Sequence, residues 1–283
     1  QDDLPDYLPD EIIEEFKFPT LKKAFTDIHQ PPDLDSAEKA RKRLTFDEAL
    51  LLQLLLGQRR IQISQLSTKS RTPNTPKLVA AFEKKLPFRY TAGQVVVNEQ
   101  IEKDLSNKFP MHRLLQGEVG SGKTVVALRA MLAVVDSGGQ AALLAPTEVL
   151  AAQHLRTIEK LLGPLAQGGM LGGVENATQV TLLTGSQNSV SRKEALALAA
   201  SGQAGIVIGT HALLSESVVF NDLGLIVVDE QHRFGVEQRD ALKAKAVNPP
   251  HLLVMTATPI PRTVAMTVFG DLDISTLREL PLG

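Results

Sequence analysis

The stretch Gly117-Glu118-Val119-Gly120-Ser121-Gly122-Lys123-Thr124 has the G-x-x-x-x-G-K-[ST] spacing of a phosphate-binding loop. Its glycines let successive backbone N–H groups turn inward onto an anion, Lys123 reaches the terminal phosphates, and the Thr124 hydroxyl ligates magnesium. A strand before the loop and the helical run Val125–Val135 after it supply the context the motif needs. The start of that helix brings the positive end of its dipole to the same charge. The chemistry expected is binding of a nucleoside triphosphate with Mg2+.

A second group is Leu225-Ile226-Val227-Val228-Asp229-Glu230-Gln231-His232. Four apolar residues make a buried strand, and the acidic pair emerges at its carboxyl end. There Asp229 fits a magnesium partner acting through water, and Glu230 fits the base or positioner of the attacking water. Alone, such a pair reads as a solvated turn; beside Lys123 it reads as catalytic. His232 by itself reads as a satisfied structural histidine. None of the six histidines has partners at zinc-ligand spacing.

Met255-Thr256-Ala257-Thr258-Pro259 is a third group at a strand end. The hydroxyls of Thr256 and Thr258 suit hydrogen bonds to the acidic pair, which would register whether the terminal phosphate is present. Without that company the segment is a proline-stopped strand. Gln94 carries two readings that stay open: Thr91-Ala92-Gly93-Gln94 is a capping box, and the Gln94 amide offers a donor and an acceptor to an adenine edge.

These groups need a scaffold that brings strand ends together. Apolar runs at Arg113–Gln116, Ala141–Ala145, Val180–Leu183, Ile206–Ile208, Leu225–Val228 and Leu252–Met255 alternate with helix-length segments. The fold class expected is α/β, a parallel sheet with helices on both faces and its ligands at the carboxyl ends of the strands. Residues 1–86 read instead as a small helical region, with helix starts at Thr20, at Asp35 or Ser36, and at Thr45 with Glu48 three residues on. The run Phe46–Leu56 is too apolar all round for a surface helix and is expected to be a buried docking helix. Residues 64–77 read as a mobile loop, and Gly163–Gly173 as a loop excursion.

With 283 residues, of which 43% are hydrophobic and 22% charged, the chain has ordinary globular composition and room for about two domains. The absence of cysteine excludes disulfides and thiolate metal sites, and points to a reducing, intracellular setting. No apolar run approaches the roughly 18–20 residues that cross a bilayer, and no secretory signal is readable. Gln1 in place of Met suggests a start that is not native. The net charge of −2 hides an asymmetry, −8 over residues 1–38 and +9 over residues 39–89. A basic block suits a polyanion, although lysines and arginines also solvate helix faces and pair with acidic neighbours.

The ordered set of Gln94, GEVGSGKT (117–124), APTEVLAAQH (145–154), LLTGS (182–186), IGTHALL (208–214), VVDEQHRFGVEQR (227–239) and TATPIPRT (256–263) resembles superfamily 2 helicases. More narrowly, PMHRLLQGEVGSGKT, DEQHRFGVEQR and FGDLDISTLRELP resemble the bacterial RecG-type branch-migration helicases. Transcription-repair coupling translocases are the nearest rival, but their motif II usually reads Asp-Glu-Glu-His, so Gln231 favours the RecG type. The resemblance covers residues 86–283 by motif and the preceding helical region more loosely.

The resemblance implies a RecA-like motor domain over 87–283, a helical linker over 1–86, and an ATP-driven DNA motor for stalled forks and Holliday junctions in the bacterial cytoplasm. It implies that Gly117, Gly120, Ser121, Gly122, Lys123 and Thr124 hold phosphate and Mg2+, that Lys123, Asp229 and Glu230 are catalytic, and that Gln94 and Phe88 meet the adenine of ATP. Pro146, Thr147, Gln153, His154, Thr184, Gly185, Ser186, Thr210 and His211 would touch DNA, mainly its phosphate backbone. Gln231, His232, Thr256 and Thr258 would couple nucleotide state to strand position.

Glu118 in place of Asp, Gly93 in place of Ala, and an apparent insertion at 163–176 depart from the family pattern. A second motor domain and a wedge domain are expected outside this chain. An arginine from the former is worth about 10^3 to 10^5 in turnover, so this piece alone is expected to bind ATP as a monomer and hydrolyse it near background. The alternative is an inert nucleotide-binding or docking module.

Overall fold

A computed structural model of the chain describes residues 4–73, 75, 77–169, 174, 176–229, 236–258 and 272–279. It divides into two compact units, 1–60 and 61–283, and the division falls within a helix.

The first unit holds α1 (Asp10–Phe16), α2 (Leu21–His29) and most of α3 (Leu34–Gln65). Thr20 caps α2 as expected, its hydroxyl accepting from Lys23 N at 3.4 Å. For α3 the cap is Asp33, whose Oδ1 accepts from Ser36 N at 2.7 Å, and not Asp35 or Ser36. Thr45 and Glu48 lie inside α3, where backbone donors already have partners one turn back and no cap is required. The expected burial of the Phe46–Leu56 run is not found in this chain. Leu56 is buried, but Leu51, Leu54 and Leu55 are 63%, 62% and 52% exposed.

The centre of this unit is a charged side chain. Arg43, fully buried, donates to Asp6 at 2.6 and 3.1 Å, to Asp47 at 3.0 Å and to the Pro19 carbonyl at 3.1 Å. The guanidinium holds the Asp6 carboxyl below its ordinary range, because a buried cation favours the ionised partner.

Among the described residues the second unit is built on seven strands: β1 (His112–Gly117), β2 (Gln140–Leu144), β3 (Gln179–Leu183), β4 (Ala204–Gly209), β5 (Leu223–Asp229), β6 (His251–Thr256) and β7 (Asp273–Leu277). Their order is β3-β4-β2-β5-β6-β1-β7, and every pairing is parallel. The expected α/β class is therefore the observed one. β7 went unrecognised as a strand because it lies at the edge of the sheet and alternates exposed with buried residues rather than forming an apolar run.

Side chains of a strand alternate between faces, and the core divides accordingly. Ala141, Leu143, Leu225 and Val227 face α4 (Lys77–Lys85), α5 (Ala92–Leu105), α6 (Lys123–Asp136) and α7 (Glu148–Leu162). Ala142, Leu144, Ile226 and Val228 face α8 (Ser189–Ser201) and α9 (Val236–Lys243). α6 is apolar nearly all round because it is covered by α4 and α5 on one side and the sheet on the other.

The sequence draws a boundary at residue 86, whereas packing divides the chain at Arg60. α4 belongs with the sheet because Asp136, at the end of α6, accepts from Leu78 N and Val79 N at 2.9 Å each. The described residues of the segment following α3 form no helix or strand, and two of them are tied to the sheet unit by backbone hydrogen bonds. Thr68 N donates to Lys108 O and Arg71 N to Leu105 O at 2.8 Å each. The Arg71 side chain, 2% exposed, forms a bidentate pair with Asp222 at 2.6 and 2.7 Å. Between β2 and β3, Gly163–Ala166 forms a 3-10 turn, and Gln167 bridges to Gln179.

Candidate nucleotide site and the carboxyl edge of the sheet

A parallel sheet puts all its carboxyl ends on one edge, and the register decides which ends are level. Leu115 pairs with Met255, and Met255 pairs with Asp229. Asp229 therefore stands two strands from β1, level with a residue that lies just before the phosphate loop. Glu230, Gln231 and His232, next along the chain, lie outside the described residues.

The loop has the backbone its spacing predicts. Gly120 and Gly122 both adopt φ 85°, a region that residues with a Cβ rarely occupy, and Gly122 caps α6. Gly117 has no room for a side chain, since a Cβ there would meet Ser121 Oγ at 2.6 Å and the Leu277 backbone oxygen at 3.0 Å. Lys123 Nζ reaches back over the loop to the carbonyls of Gly117 and Glu118, at 2.6 and 2.9 Å. Ser121 Oγ is buried without a hydrogen-bond partner among the described residues. Thr124 is half-buried in the first turn of α6.

Gln94 is 1% exposed, and its amide is used at both ends. Oε1 accepts from Thr91 N at 3.0 Å, completing the capping box of α5, while Nε2 donates to Ser121 O at 2.9 Å. Of the two readings of Gln94, the capping box is the one formed here. Phe88 is half-buried against the core beneath these helices. Glu279, beyond β7, accepts from Gly93 N at 3.2 Å, a contact that nothing in the local pattern announces.

Thr256, buried at the end of β6, and Thr258, two residues on, bond each other at 2.9 Å through their hydroxyls. Thr258 N also donates to Thr256 Oγ1 at 3.3 Å. The pair forms a small hydroxyl turn beside the Asp229 strand.

The residues assigned to DNA by resemblance occupy the other half of the same edge, beyond β2, β3 and β4. Thr147 caps α7, accepting from Leu150 N at 3.3 Å, with Pro146 half-buried before it. Glu148, absent from the expected set, ties this segment to the next. Its carboxylate accepts from Ser186 N at 3.0 Å and from the Ser186 hydroxyl, and these bonds hold it below the ordinary carboxylate range. Gly185, Ser186, Gln153 and His211 are exposed, whereas Thr184 and Thr210 are buried at 3% and 1%. Buried side chains present backbone groups at most, so the exposed members carry any surface contact.

His154 stands apart from this group. Its Nε2 lies 2.7 Å from Asp229 Oδ2, and the two side chains are 13% and 14% exposed. The sheet order explains the meeting, since β5 is the neighbour of β2, the strand that leads into α7.

Residues 94–267 match the family described as DEAD/DEAH box helicase. Over the full chain the sequence is 57% identical to a protein of Mycobacterium bovis named ATP-dependent DNA helicase RecG, spanning 38% of that protein's length. It is 42% identical to the protein of the same name from Bacillus subtilis, again over the full chain and 40% of the relative. A solved structure titled "Structure of RecG bound to three-way DNA junction" superposes with a TM-score of 0.80 at 36% identity, covering 99% of this chain and 36% of that one. No described helix is long and apolar enough to cross a membrane.

Proposed function

Because the chain belongs to the DEAD/DEAH box helicase family, we propose that it is the first motor domain, with preceding helices, of a RecG-type ATP-dependent DNA helicase acting on stalled forks and Holliday junctions. Its relatives of that name, more than twice its length, support the assignment, as does the likeness to a RecG structure bound to a three-way junction. The remaining parts of such a protein, a second motor domain and a wedge, act with it, and the bacterial cytoplasm is the setting.

The observation that carries this reading is the shared edge. The phosphate loop and Asp229 come level across β1, β6 and β5. The cradle also suits a triphosphate: glycines held at positive φ, a buried Ser121 hydroxyl with no partner among the described residues, and the Lys123 ammonium over the loop. Lys123 would exchange loop carbonyls for phosphate oxygens, while Thr124 and Asp229 would hold Mg2+. The metal, when bound, neutralises charge developing on the transferred phosphoryl group. Glu230 would orient the attacking water, and Phe88 and Gln94 would meet the adenine, Gln94 by exchanging its present partners Thr91 N and Ser121 O for the base.

The other half of the edge would grip the DNA backbone through Gly185, Ser186, His211 and the start of α7. Thr256 and Thr258, between the halves, would relay nucleotide state together with Gln231 and His232.

Nucleotide titration with and without fork DNA, on this chain beside the complete protein, tests the assignment. Both should bind ATP-Mg, and Lys123→Ala should abolish binding in each. DNA-stimulated turnover should appear only in the complete protein, where Glu230→Gln should retain binding and stop hydrolysis. Equal loss of binding in both variants would contradict the assigned roles.

A further inference from the structure

We propose that His154 is the positioning residue for the Asp229 carboxylate, an inference that rests on the magnesium role given to Asp229 above. A strand end fixes a backbone, but not the side-chain torsions of its last residue. At the end of β5 those torsions are held by a hydrogen bond from another element, His154 Nε2 to Asp229 Oδ2 at 2.7 Å. A carboxylate has no proton to give, so the imidazole Nε2–H donates. With both side chains mostly buried, the bond competes little with water. It occupies one carboxylate oxygen and leaves Oδ1 for a magnesium-bound water.

The arrangement is that of a ligand held by an outer partner, where loss of the partner weakens metal binding without removing the ligand. It also separates neighbours in the sequence: Gln153 is exposed, whereas His154 turns into the metal side of the edge. α7 thereby carries two attachments. Glu148 at its start holds the Ser186 segment, and His154, roughly 9 Å further along the helix axis, holds Asp229.

The test uses the complete protein and follows Mn2+ binding in the presence of ADP by electron paramagnetic resonance, alongside ATP turnover as a function of Mg2+. His154→Ala should weaken Mn2+ binding about 10- to 100-fold and raise the Mg2+ requirement of turnover to match, with metal-free nucleotide affinity unchanged. His154→Gln, which keeps a donor at the end of its side chain, should recover most of the loss. Wild-type Mn2+ binding in His154→Ala, or a His154→Gln variant as deficient as His154→Ala, would overturn the proposal. Asp229→Asn separates the two levels. If it loses metal while His154→Ala does not, only the positioning role falls; if it binds metal normally, the reading of Asp229 falls as well.

Discussion

The side-chain amide of Gln94 donates to the backbone carbonyl of Ser121 at 2.9 Å, so the residue that completes the cap of α5 also holds the phosphate loop. One buried group therefore satisfies a helix start and fixes the loop that precedes α6. Gln94→Ala should loosen both. The lost hydrogen bonds, at about 1 kcal/mol each, correspond to roughly a fivefold weakening of ATP affinity per bond that serves the loop, and to a small fall in stability. Calorimetric titration with ATP-Mg, beside a urea unfolding curve, measures the two effects separately.

Gly117→Ala should act on the nucleotide site by geometry alone. The added methyl would sit 2.6 Å from Ser121 Oγ and 3.0 Å from the Leu277 backbone oxygen, so the loop or the edge strand β7 must shift. Overpacking of this kind costs about 1–3 kcal/mol, and if that strain falls on the binding-competent loop it weakens nucleotide affinity about 5- to 150-fold. A titration with ATP-Mg indistinguishable from wild type would show that the loop tolerates a side chain there.

Arg71→Met should destabilise the sheet unit by about 3 kcal/mol, the lower end of the range for breaking a buried ion pair, because Lys69 stays 3.0 Å from Asp222. The guanidinium lies against two glycines: a Cβ at Gly139 or Gly224 would come within 2.5 or 2.6 Å of it. Arg71 holds the Asp222 carboxyl below its ordinary range. The stability Asp222 contributes is thus present above its unfolded-state pKa of about 4 and is lost as pH falls through the lower folded value. Urea unfolding of wild type and variant at neutral and acidic pH should show the gap narrowing in acid.

His251 sets a second pH dependence in a higher window. It is fully buried at the start of β6, and Nδ1 accepts from Met111 N at 3.0 Å, so protonation would cost both burial and that bond. Burial pushes its pKa down to about 4. The folded state prefers the neutral ring, so this stability is complete above about pH 6.5 and is lost as pH falls towards 4, a total on the order of 3 kcal/mol. His251→Asn should flatten the unfolding free energy between pH 6.5 and 4; an unchanged slope would assign the dependence to other groups.

Local chemistry was legible in the chain wherever a motif carries its own geometry. The phosphate loop could be read because only glycine suits the positive φ at 120 and 122, and the capping box of α5 because Thr91 and Gln94 satisfy each other's backbone donors. The apolar runs of β2, β4 and β5 announced strands covered on both faces. β7 escaped because an edge strand needs only alternate apolar residues. Thr45–Glu48 misled because the box spacing also occurs inside a continuous helix, where it caps nothing.

Residue types and short spacings thus determined the backbone of the glycine-rich loop, the parallel α/β class and the place of Asp229 at a strand end. Tertiary structure decided which distant groups meet: Asp229 with His154, 75 residues apart, Arg71 with Asp222, 151 apart, and Gly93 with Glu279, 186 apart. The physical reason is that backbone conformation is set by neighbours in sequence. Side-chain partners, by contrast, are set by strand order and register, and a crossover sheet places β5 beside β2 with no trace in the residues between them.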